Sequence, residues 1–115
     1  MPSTLCEINL EQGMPYVDAA IRRLTAELHQ SVRMGVVVLK IIHGYGSSGT
    51  GGKIRTEARS YLAEQKQKRY IKDFIPGEDF SIFDESTRSA FLLCDDLRRD
   101  SDLERHNNGV TIVIL

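Results

Sequence analysis

Cysteine is scarce in this sequence, and its two cysteines are poorly placed to share a structural role. Cys6 and Cys94 form no C-x-x-C pair and lie far apart in the 115-residue chain. Both occur in apolar stretches, where a thiol is usually a reduced, packed side chain. The pattern disfavours a structural zinc site and is typical of a cytosolic protein.

Long apolar runs and targeting signals are also missing. No apolar run approaches the roughly 18 residues that a membrane span requires, so we expect no membrane partner. The N-terminus has no cationic region followed by an apolar stretch, so no secretory signal is expected. These absences predict a cytoplasmic location. A length of 115 residues with 41% hydrophobic content predicts one domain with its own core.

Net charge is nearly absent, at −1, but the charges are unevenly distributed. Between Lys53 and Lys72 seven cations face two acids, a local balance of +5. Between Asp73 and Arg105 ten acids face four arginines, a local balance of −6. Such asymmetry can mark a nucleic-acid face beside a solubilising face. The alternative is two solvated helical faces of opposite sign.

Hydrophobic periodicity predicts four strands and three helices. Alternation of apolar and polar residues marks a half-buried strand, and apolar residues three and four apart mark an amphipathic helix. The resulting order implies an α/β two-layer sandwich with a mixed four-stranded sheet. The predicted strands are Leu5–Leu10, Val36–Ile42, Tyr70–Ile75 and the last six residues, and the predicted helices cover 15–33, about 54–67 and about 86–99.

The segment IIHGYGSSGTGGKIR, residues 41–55, concentrates glycine. Five of the nine glycines lie between Gly44 and Gly52. Ordering glycine costs roughly 0.5–1 kcal/mol each in regular structure, so the loop needs unusual dihedrals or close approach by a ligand. Its N–H groups and the following helix N-terminus suggest an anion site. The N-terminal end of the helix dipole is positive, so the charges of Lys53 and Arg55 are unfavourable there unless an anion such as phosphate is bound. The alternative is a flexible loop with solvated cations.

Two better-known glycine motifs fit this loop less well. Residues 44–49 match the dinucleotide pattern G-x-G-x-x-G, but two further glycines would make a poor first helical turn and the chain lacks a second nucleotide-binding half. A P-loop would need glycine at position 47 and a hydroxyl at position 54, where the chain has Ser47 and Ile54. Neither motif is supported.

The loop closely resembles the second signature of the Smr (small MutS-related) domain, H-G-x-G followed by G-x-L-R. The resemblance extends over most of the chain to the closing NNGVTIVIL, so it implies a single Smr-like domain over residues 1–115. It implies a fold similar to the C-terminal domain of translation initiation factor 3. It also implies a DNA or RNA partner, since several members nick or cleave nucleic acid. The residues on the pattern are His43, Gly44, Gly46, Gly52, Ile54 (replacing leucine) and Arg55.

Two features depart from the family. In the first signature, L-D-L-H-G, Asn9 stands at the aspartate position and Glu11 at the histidine position. Strand alternation would place both on one face, but asparagine cannot transfer a proton and the unperturbed pKa of glutamate is about 4.3. The second departure is an acidic insertion at about 78–108, before the last strand. It could repel nucleic acid, occupy the groove or contact a partner protein.

The predicted catalytic residues are His43, Glu11 and Arg55. His43 ends a buried strand at the mouth of the loop, where ligands of α/β folds bind. It could transfer a proton, with Glu11 as a partner base if their strands are adjacent and Arg55 stabilising phosphate charge. Alternatively, His43 is structural and bonds the loop backbone.

Phosphate binding is expected along the loop and the helix that follows it. Tyr45 either stacks on a base or covers the underside of the loop. No metal site or cofactor is expected. Three hypotheses follow: a nucleic-acid-binding domain without strong nuclease activity, an active endonuclease, or a protein-interaction module using the acidic insertion. The predicted phosphate-binding residues are Gly44, Tyr45, Gly46, Gly52, Lys53, Arg55 and Arg59.

Overall fold

The computed structural model describes residues 5–13, 15–44 and 51–115, and over these ranges it forms an α/β domain. The predicted strands and the first two helices are all found, with ends shifted by a few residues. The strands are β1 (Leu5–Asn9), β2 (Val38–Ile42), β3 (Asp73–Pro76) and β4 (Val110–Ile114). The helices are α1 (Val17–Arg33), α2 (Gly51–Gln67) and α3 (Glu85–Leu93), with 3₁₀ helices at Gly77–Asp79 and Asp95–Arg99.

The four strands form one mixed sheet in the order β1-β2-β4-β3. β1 is parallel to β2, whereas β4 is antiparallel to both β2 and β3. The predicted α/β class and mixed four-stranded sheet are therefore confirmed. With this topology the C-terminal ends of β1, β2 and β3 lie next to the start of β4. This row of strand ends, which is distinct from the edge strands β1 and β3, is the sheet edge.

Each face of the sheet has its own apolar core. Leu39, Ile41 and Val113 pack with α1 and α2 on one face, which forms the predicted two layers. Val38 and Ile112 point the other way, since side chains alternate along a strand. They pack with α3, the second 3₁₀ helix and Phe80 on the second face. The acidic insertion thus supplies a further layer on the face opposite α1 and α2.

The helix predicted over residues 86–99 is wrong in its second half. It ends at Leu93, and Cys94 has an extended backbone (φ −147°, ψ 96°) before a 3₁₀ helix begins at Asp95. A continuous helix would place Asp95 and Asp96 near its negative C-terminal end. The break instead puts both aspartates in the first turn of a new helix, where they pair with Arg98 and Arg99.

The prediction that both cysteines are packed is correct for one of them. Cys94 is buried in the second core, whereas Cys6 is exposed; neither forms a disulfide. Cys6 lies on β1, which is an edge strand with only one neighbour. Strand periodicity alone does not reveal which strand will be at the edge of the sheet.

A buried ion cluster fastens the acidic insertion to the sheet. Lys40 of β2 is only 5% exposed, and its Nζ lies 2.8 Å from Asp100 Oδ1 and 2.6 Å from Asp102 Oδ2. Burial alone would lower the pKa of Lys40, but hydrogen bonds and charges from the two aspartates raise it above its ordinary value. Two carboxylates of the insertion are therefore paired with one lysine within the fold.

Among the described residues, no helix is both long and apolar enough to span a bilayer. The cytoplasmic location stays a prediction.

Candidate nucleic-acid interface

The candidate site lies where β1, β2 and β3 end and β4 begins. Glu11 follows β1, His43 and Gly44 follow β2, and the N-terminal half of α2 lies beside them. The backbone ties this edge together, because the N–H groups of His43 and Gly44 both donate to the carbonyl of Gly109, each at 3.0 Å. The sheet topology thus brings together residues that are distant in sequence.

Glu11 lies directly against Gly44. A Cβ built on Gly44 would overlap the Glu11 carboxyl group, and Gly44 has a φ of +75°, which favours glycine. The two strands are adjacent, as the predicted Glu11–His43 pairing requires, with Asn9 in register with Ile42.

The prediction that Asn9 and Glu11 share a strand face is wrong. β1 ends at Asn9, whose side-chain oxygen accepts from the Glu11 N–H at 2.9 Å. This Asx turn redirects the chain, and the guanidinium of Arg23 holds it by donating to the carbonyls of Asn9 and Gln12, at 3.2 Å each. Asn9 is therefore used in the turn, and the carboxylate of Glu11 alone reaches the site.

His43 is completely buried, and both ring nitrogens are occupied. Nδ1 lies 2.7 Å from the carbonyl oxygen of Gly44, so Nδ1 carries the proton and donates it. Nε2 then accepts from the hydroxyl of Thr111, at 2.8 Å. These contacts favour the structural interpretation of His43, in which the imidazole fixes the start of the glycine loop.

Burial also keeps His43 neutral. Desolvation is the main cause that lowers its pKa from 6.5 to about 4, and the positive charges of Arg59 and Arg55 act in the same direction. The hydrogen bond to Gly44 only partly opposes this shift. At neutral pH the imidazole is therefore an uncharged link between the loop backbone and β4.

Arg59 connects α2 to β4 and to the segment after β3. Its guanidinium forms a bidentate pair with Glu78, with N–O distances of 2.8 and 2.7 Å, and its Nε donates to Thr111 Oγ1 at 3.2 Å. Burial alone would raise the pKa of Glu78, but hydrogen bonds and charge from Arg59 lower it. Arg59 also donates to the carbonyls of Asn108 and Val110. This arginine is thus largely committed to protein contacts.

The first turn of α2 carries one cation and no acid. It contains Gly51, Gly52 and Lys53, and Arg55 follows in the next turn. The helix therefore begins earlier than predicted and includes two glycines that were assigned to the loop. Arg55 is half-buried and makes no hydrogen bond or ion pair within the described part of the chain. Its positive charge nevertheless helps to lower the pKa of both His43 and Glu78. Arg55 is therefore the available cation next to the site.

Lys53 lies on a different flank of α2 from Arg55. It lines a groove between α1 and α2 of about 990 Å³, together with Arg22, Asp18 and Glu57. Two residues along a helix correspond to about 200° of rotation. The structure thus separates Lys53 from the His43 side, while Arg55 and Arg59, one turn apart, share a flank.

The predicted site residues therefore divide into three groups. Glu11, His43, Gly44 and Arg59 come together at the sheet edge, with Arg55 next to them. Gly52 and Lys53 lie at the start of α2. Tyr45 and Gly46 lie outside the described residues, so their predicted roles stay predictions.

Sequence reasoning missed Thr111 and Glu78. Thr111 is completely buried and is the one polar residue in β4, a signal that was visible in VTIVI. Glu78 follows β3, at the same sheet edge as the glycine loop. Neither could be connected with His43 or Arg59 without the strand order. Among the described residues, no cluster of three or more His, Cys, Asp or Glu side chains is placed to hold a metal ion.

The fold and this sheet edge define an α/β domain whose glycine loop leads into a cationic helix N-terminus. The Smr domain family model matches residues 12–79, more than half of the chain. The chain therefore belongs to the Smr domain family, as its loop predicted.

Two relatives illustrate the similarity. The chain is 31% identical over 62 residues to Endonuclease MutS2 from Aquifex aeolicus (strain VF5), covering 54% of this chain but 8% of that protein. It thus spans under a tenth of that relative's length. The crystal structure of the Smr domain of Thermus thermophilus MutS2 matches with a TM-score of 0.57 and 21% identity, over 95% of each chain. This second likeness supports the fold; the similarity to translation initiation factor 3 stays a prediction.

Proposed function

We propose that this Smr domain binds nucleic acid and holds the phosphate backbone at the glycine loop, residues 43–55, and the N-terminal end of α2. Membership of the Smr family supports the proposal, as does similarity to a protein named Endonuclease MutS2. The partner class is DNA or RNA. The proposal covers the domain alone, because the chain matches only 8% of that relative.

The observation that best supports this proposal is the composition of the first turn of α2. The first four N–H groups of a helix lack intrahelical acceptors, and the helix dipole makes this end positive. Natural helices usually compensate with acids there, but this turn has none and has Lys53 instead, with Arg55 next to it. A phosphate bound at this end would remove the repulsion and satisfy the N–H groups.

The other predicted residues take supporting roles in this proposal. Gly44 and Gly52 let the backbone approach a phosphate, and His43 and Arg59 hold the surrounding framework. Arg59 could contact a phosphate only by giving up part of its bidentate pair with Glu78. Lys53 would contact the backbone from the α1 side.

Cleavage is a second candidate function, favoured by the position of Glu11. Its carboxylate lies at the loop mouth and is partly exposed, so it can accept a proton from an attacking hydroxyl or water. Arg55 would stabilise charge on the phosphate. His43 would act as a positioning residue, because both its nitrogens are used and its pKa is about 4.

Protein binding through the acidic insertion receives less support. Asp100 and Asp102 are paired with Lys40, and Glu78 is paired with Arg59. Asp95 and Asp96 also pair with Arg98 and Arg99, so five of the nine acids of residues 78–108 are in ion pairs.

Binding is tested by fluorescence anisotropy with labelled single-stranded RNA, duplex DNA and branched DNA at low salt. We expect Arg55→Ala to weaken binding at least about tenfold, because one charge-assisted phosphate contact contributes roughly 1.5–3 kcal/mol. The matched control is Arg105→Ala, which removes the same charge from an exposed position in the acidic insertion. Equal effects of the two variants, or no binding by the wild type, would contradict the proposal.

Cleavage is tested with the same substrates on denaturing gels. We expect Glu11→Gln to lose cleavage and keep binding, since the amide preserves the shape of the side chain but cannot accept a proton. His43→Asn should reduce binding and cleavage together, because it disturbs the loop. Cleavage by Glu11→Gln at the wild-type rate would rule out Glu11 as the base.

A further inference from the structure

A second groove lies at the opposite end of the α1–α2 layer from the glycine loop. It has a volume of about 630 Å³ and lies between the C-terminal ends of the two helices. Its apolar residues include the buried Leu28 and Ile71, and Tyr70 and Arg33 also line it. Ligand pockets typically measure about 300–1,000 Å³, so a nucleobase with its sugar fits by volume.

Tyr70 is exposed to 69% yet held on a well-defined backbone. Its N–H donates to the carbonyl of Gln65 at 2.9 Å, and the N–H of Arg69 donates to Lys66 at 3.0 Å. This pair of bonds is a Schellman motif, which ends α2. The backbone that carries the aromatic ring is therefore fixed by the helix end, and the ring lines the groove.

The surroundings of the groove are positively charged. Residues 65–72, QKQKRYIK, contain four cations and no acid. Lys66 and Lys68 are paired with Asp73 and Glu64. The other two, Arg69 and Lys72, form no ion pair within the described residues, and neither does Arg33 at the end of α1.

Arg69 occupies a strained position next to Tyr70. Its φ is +64°, in the left-handed region where helices usually place glycine. α1 ends with the same hydrogen-bond pattern but has Gly35 at the equivalent position, with a φ of +75°. Arg69 thus combines a left-handed backbone with a guanidinium that forms no ion pair among the described residues.

We propose that this groove is a second nucleic-acid contact, in which an unpaired base stacks on Tyr70 and Arg33, Arg69 and Lys72 hold the flanking phosphates. The inference rests on the proposed function and extends it from nucleic acid in general to nucleic acid with an unpaired base. An aromatic face accepts any base, and a cationic rim follows the backbone. The groove therefore selects single-stranded or unpaired nucleic acid over a closed duplex.

The length of α2 sets the distance between the two contacts. Its 17 residues span about 25 Å at about 1.5 Å per residue. A stacked strand advances about 3.4 Å per nucleotide, so about seven nucleotides connect the loop to the groove. A much shorter strand cannot occupy both contacts.

The test is an NMR titration of ¹⁵N-labelled protein with oligodeoxythymidylate of about twelve nucleotides. We expect backbone amide shifts both in the first turn of α2 and at Gln65, Tyr70 and Ile71. Tyr70→Ala should weaken binding about tenfold by loss of one stacked base, whereas Tyr70→Phe should bind like the wild type. Circular dichroism of Tyr70→Ala and Tyr70→Phe checks the fold, which we expect to stay intact because Tyr70 is exposed.

The outcomes separate this inference from the proposed function. Shifts only at the start of α2 would overturn the groove contact and leave the proposed function standing. No shifts at either place would overturn both. Groove shifts with an amphipathic peptide but not with the oligonucleotide would identify a protein-binding groove and contradict the inference, as would equal affinity losses for Tyr70→Ala and Tyr70→Phe.

Discussion

At the scale of single residues, Gly44 shows how one position can be fixed by two constraints. Its φ of +75° disfavours any residue with a Cβ, and the Glu11 carboxyl group fills the space where that Cβ would lie. Gly13 has a similar φ of +80° but no atom within 4 Å of the same position. The two glycines therefore allow backbone strain to be separated from crowding.

We predict that Gly44→Ala destabilises the fold more than Gly13→Ala. Backbone strain costs about 1–2 kcal/mol at either position, and overpacking adds about 1–3 kcal/mol at Gly44 only. Urea unfolding measures both variants. Adding Glu11→Ala to Gly44→Ala should remove the extra cost; if it does not, Glu11 is not what excludes the side chain.

We also predict a pH dependence of stability that comes from His43. Its pKa is about 4 in the folded chain and 6.5 when unfolded, so below pH 6.5 the unfolded state binds the proton first. Stability is fully present above 6.5 and falls as the pH drops towards 4. The loss reaches at most about 3.5 kcal/mol, at about 1.4 kcal/mol per pH unit.

Urea unfolding at several pH values between 6.5 and 4.5 measures this loss. His43→Asn cannot titrate in this range, so its stability should change much less with pH, although its stability at neutral pH is lower. An unchanged slope in His43→Asn would show that another group is responsible.

At the scale of elements, the ends of α1 and α2 offer a matched comparison. Both helices end in the same motif, with Gly35 in one and Arg69 in the other at the left-handed position. We predict that Arg69→Gly stabilises the protein by about 0.5–1 kcal/mol, because it relieves strain that an L-residue incurs there. Gly35→Ala should destabilise by about 1 kcal/mol. Destabilisation by Arg69→Gly in thermal unfolding would refute the strain assignment.

The ion cluster around Lys40 attaches the acidic insertion to the sheet in addition to the second apolar core. Removing one partner of a buried ion pair costs about 3–5 kcal/mol, whereas replacing all partners by neutral residues can cost little. We predict that Lys40→Ala destabilises by about 3 kcal/mol. Combining Lys40→Met with Asp100→Asn and Asp102→Asn should recover most of the loss in urea unfolding. Equal losses in both variants would indicate that packing of the lysine stem, rather than charge, holds the insertion.

The elements themselves could largely be predicted from sequence, since periodicity depends on neighbouring residues. β4 and α1 were predicted nearly to their observed ends. The break at Cys94 could not be predicted, because it depends on how the segment packs on the second face of the sheet. The exposure of Cys6 could not be predicted either, because it depends on β1 being an edge strand. For the same reason the site was predicted as the glycine loop with His43, Glu11 and the cations of α2, without Thr111 or Glu78. The Thr111–His43 bond follows from β4 lying beside β2, and the position of Glu78 near Arg59 follows from β3 lying beside β4.

At the scale of the whole molecule, the charge asymmetry of the sequence becomes an asymmetry between layers. The cations of residues 53–72 lie on α2 and the turn after it, while most of the acids between residues 73 and 105 lie on the opposite layer. Several of these acids are neutralised by Lys40, Arg59, Arg98 and Arg99. The α1–α2 layer is therefore the face that a polyanion would approach.

The most direct test of nucleic-acid binding at the start of α2 is the salt dependence of affinity for single-stranded RNA. Phosphate contacts release counterions, so each contact contributes about 0.7 to the slope of log affinity against log salt for a single strand. We predict a clear salt dependence for the wild type and a slope smaller by about 0.7 for Arg55→Ala, with Arg105→Ala unchanged. A wild-type affinity that does not respond to salt, or an Arg55→Ala slope equal to that of the wild type, would contradict phosphate binding at this helix end.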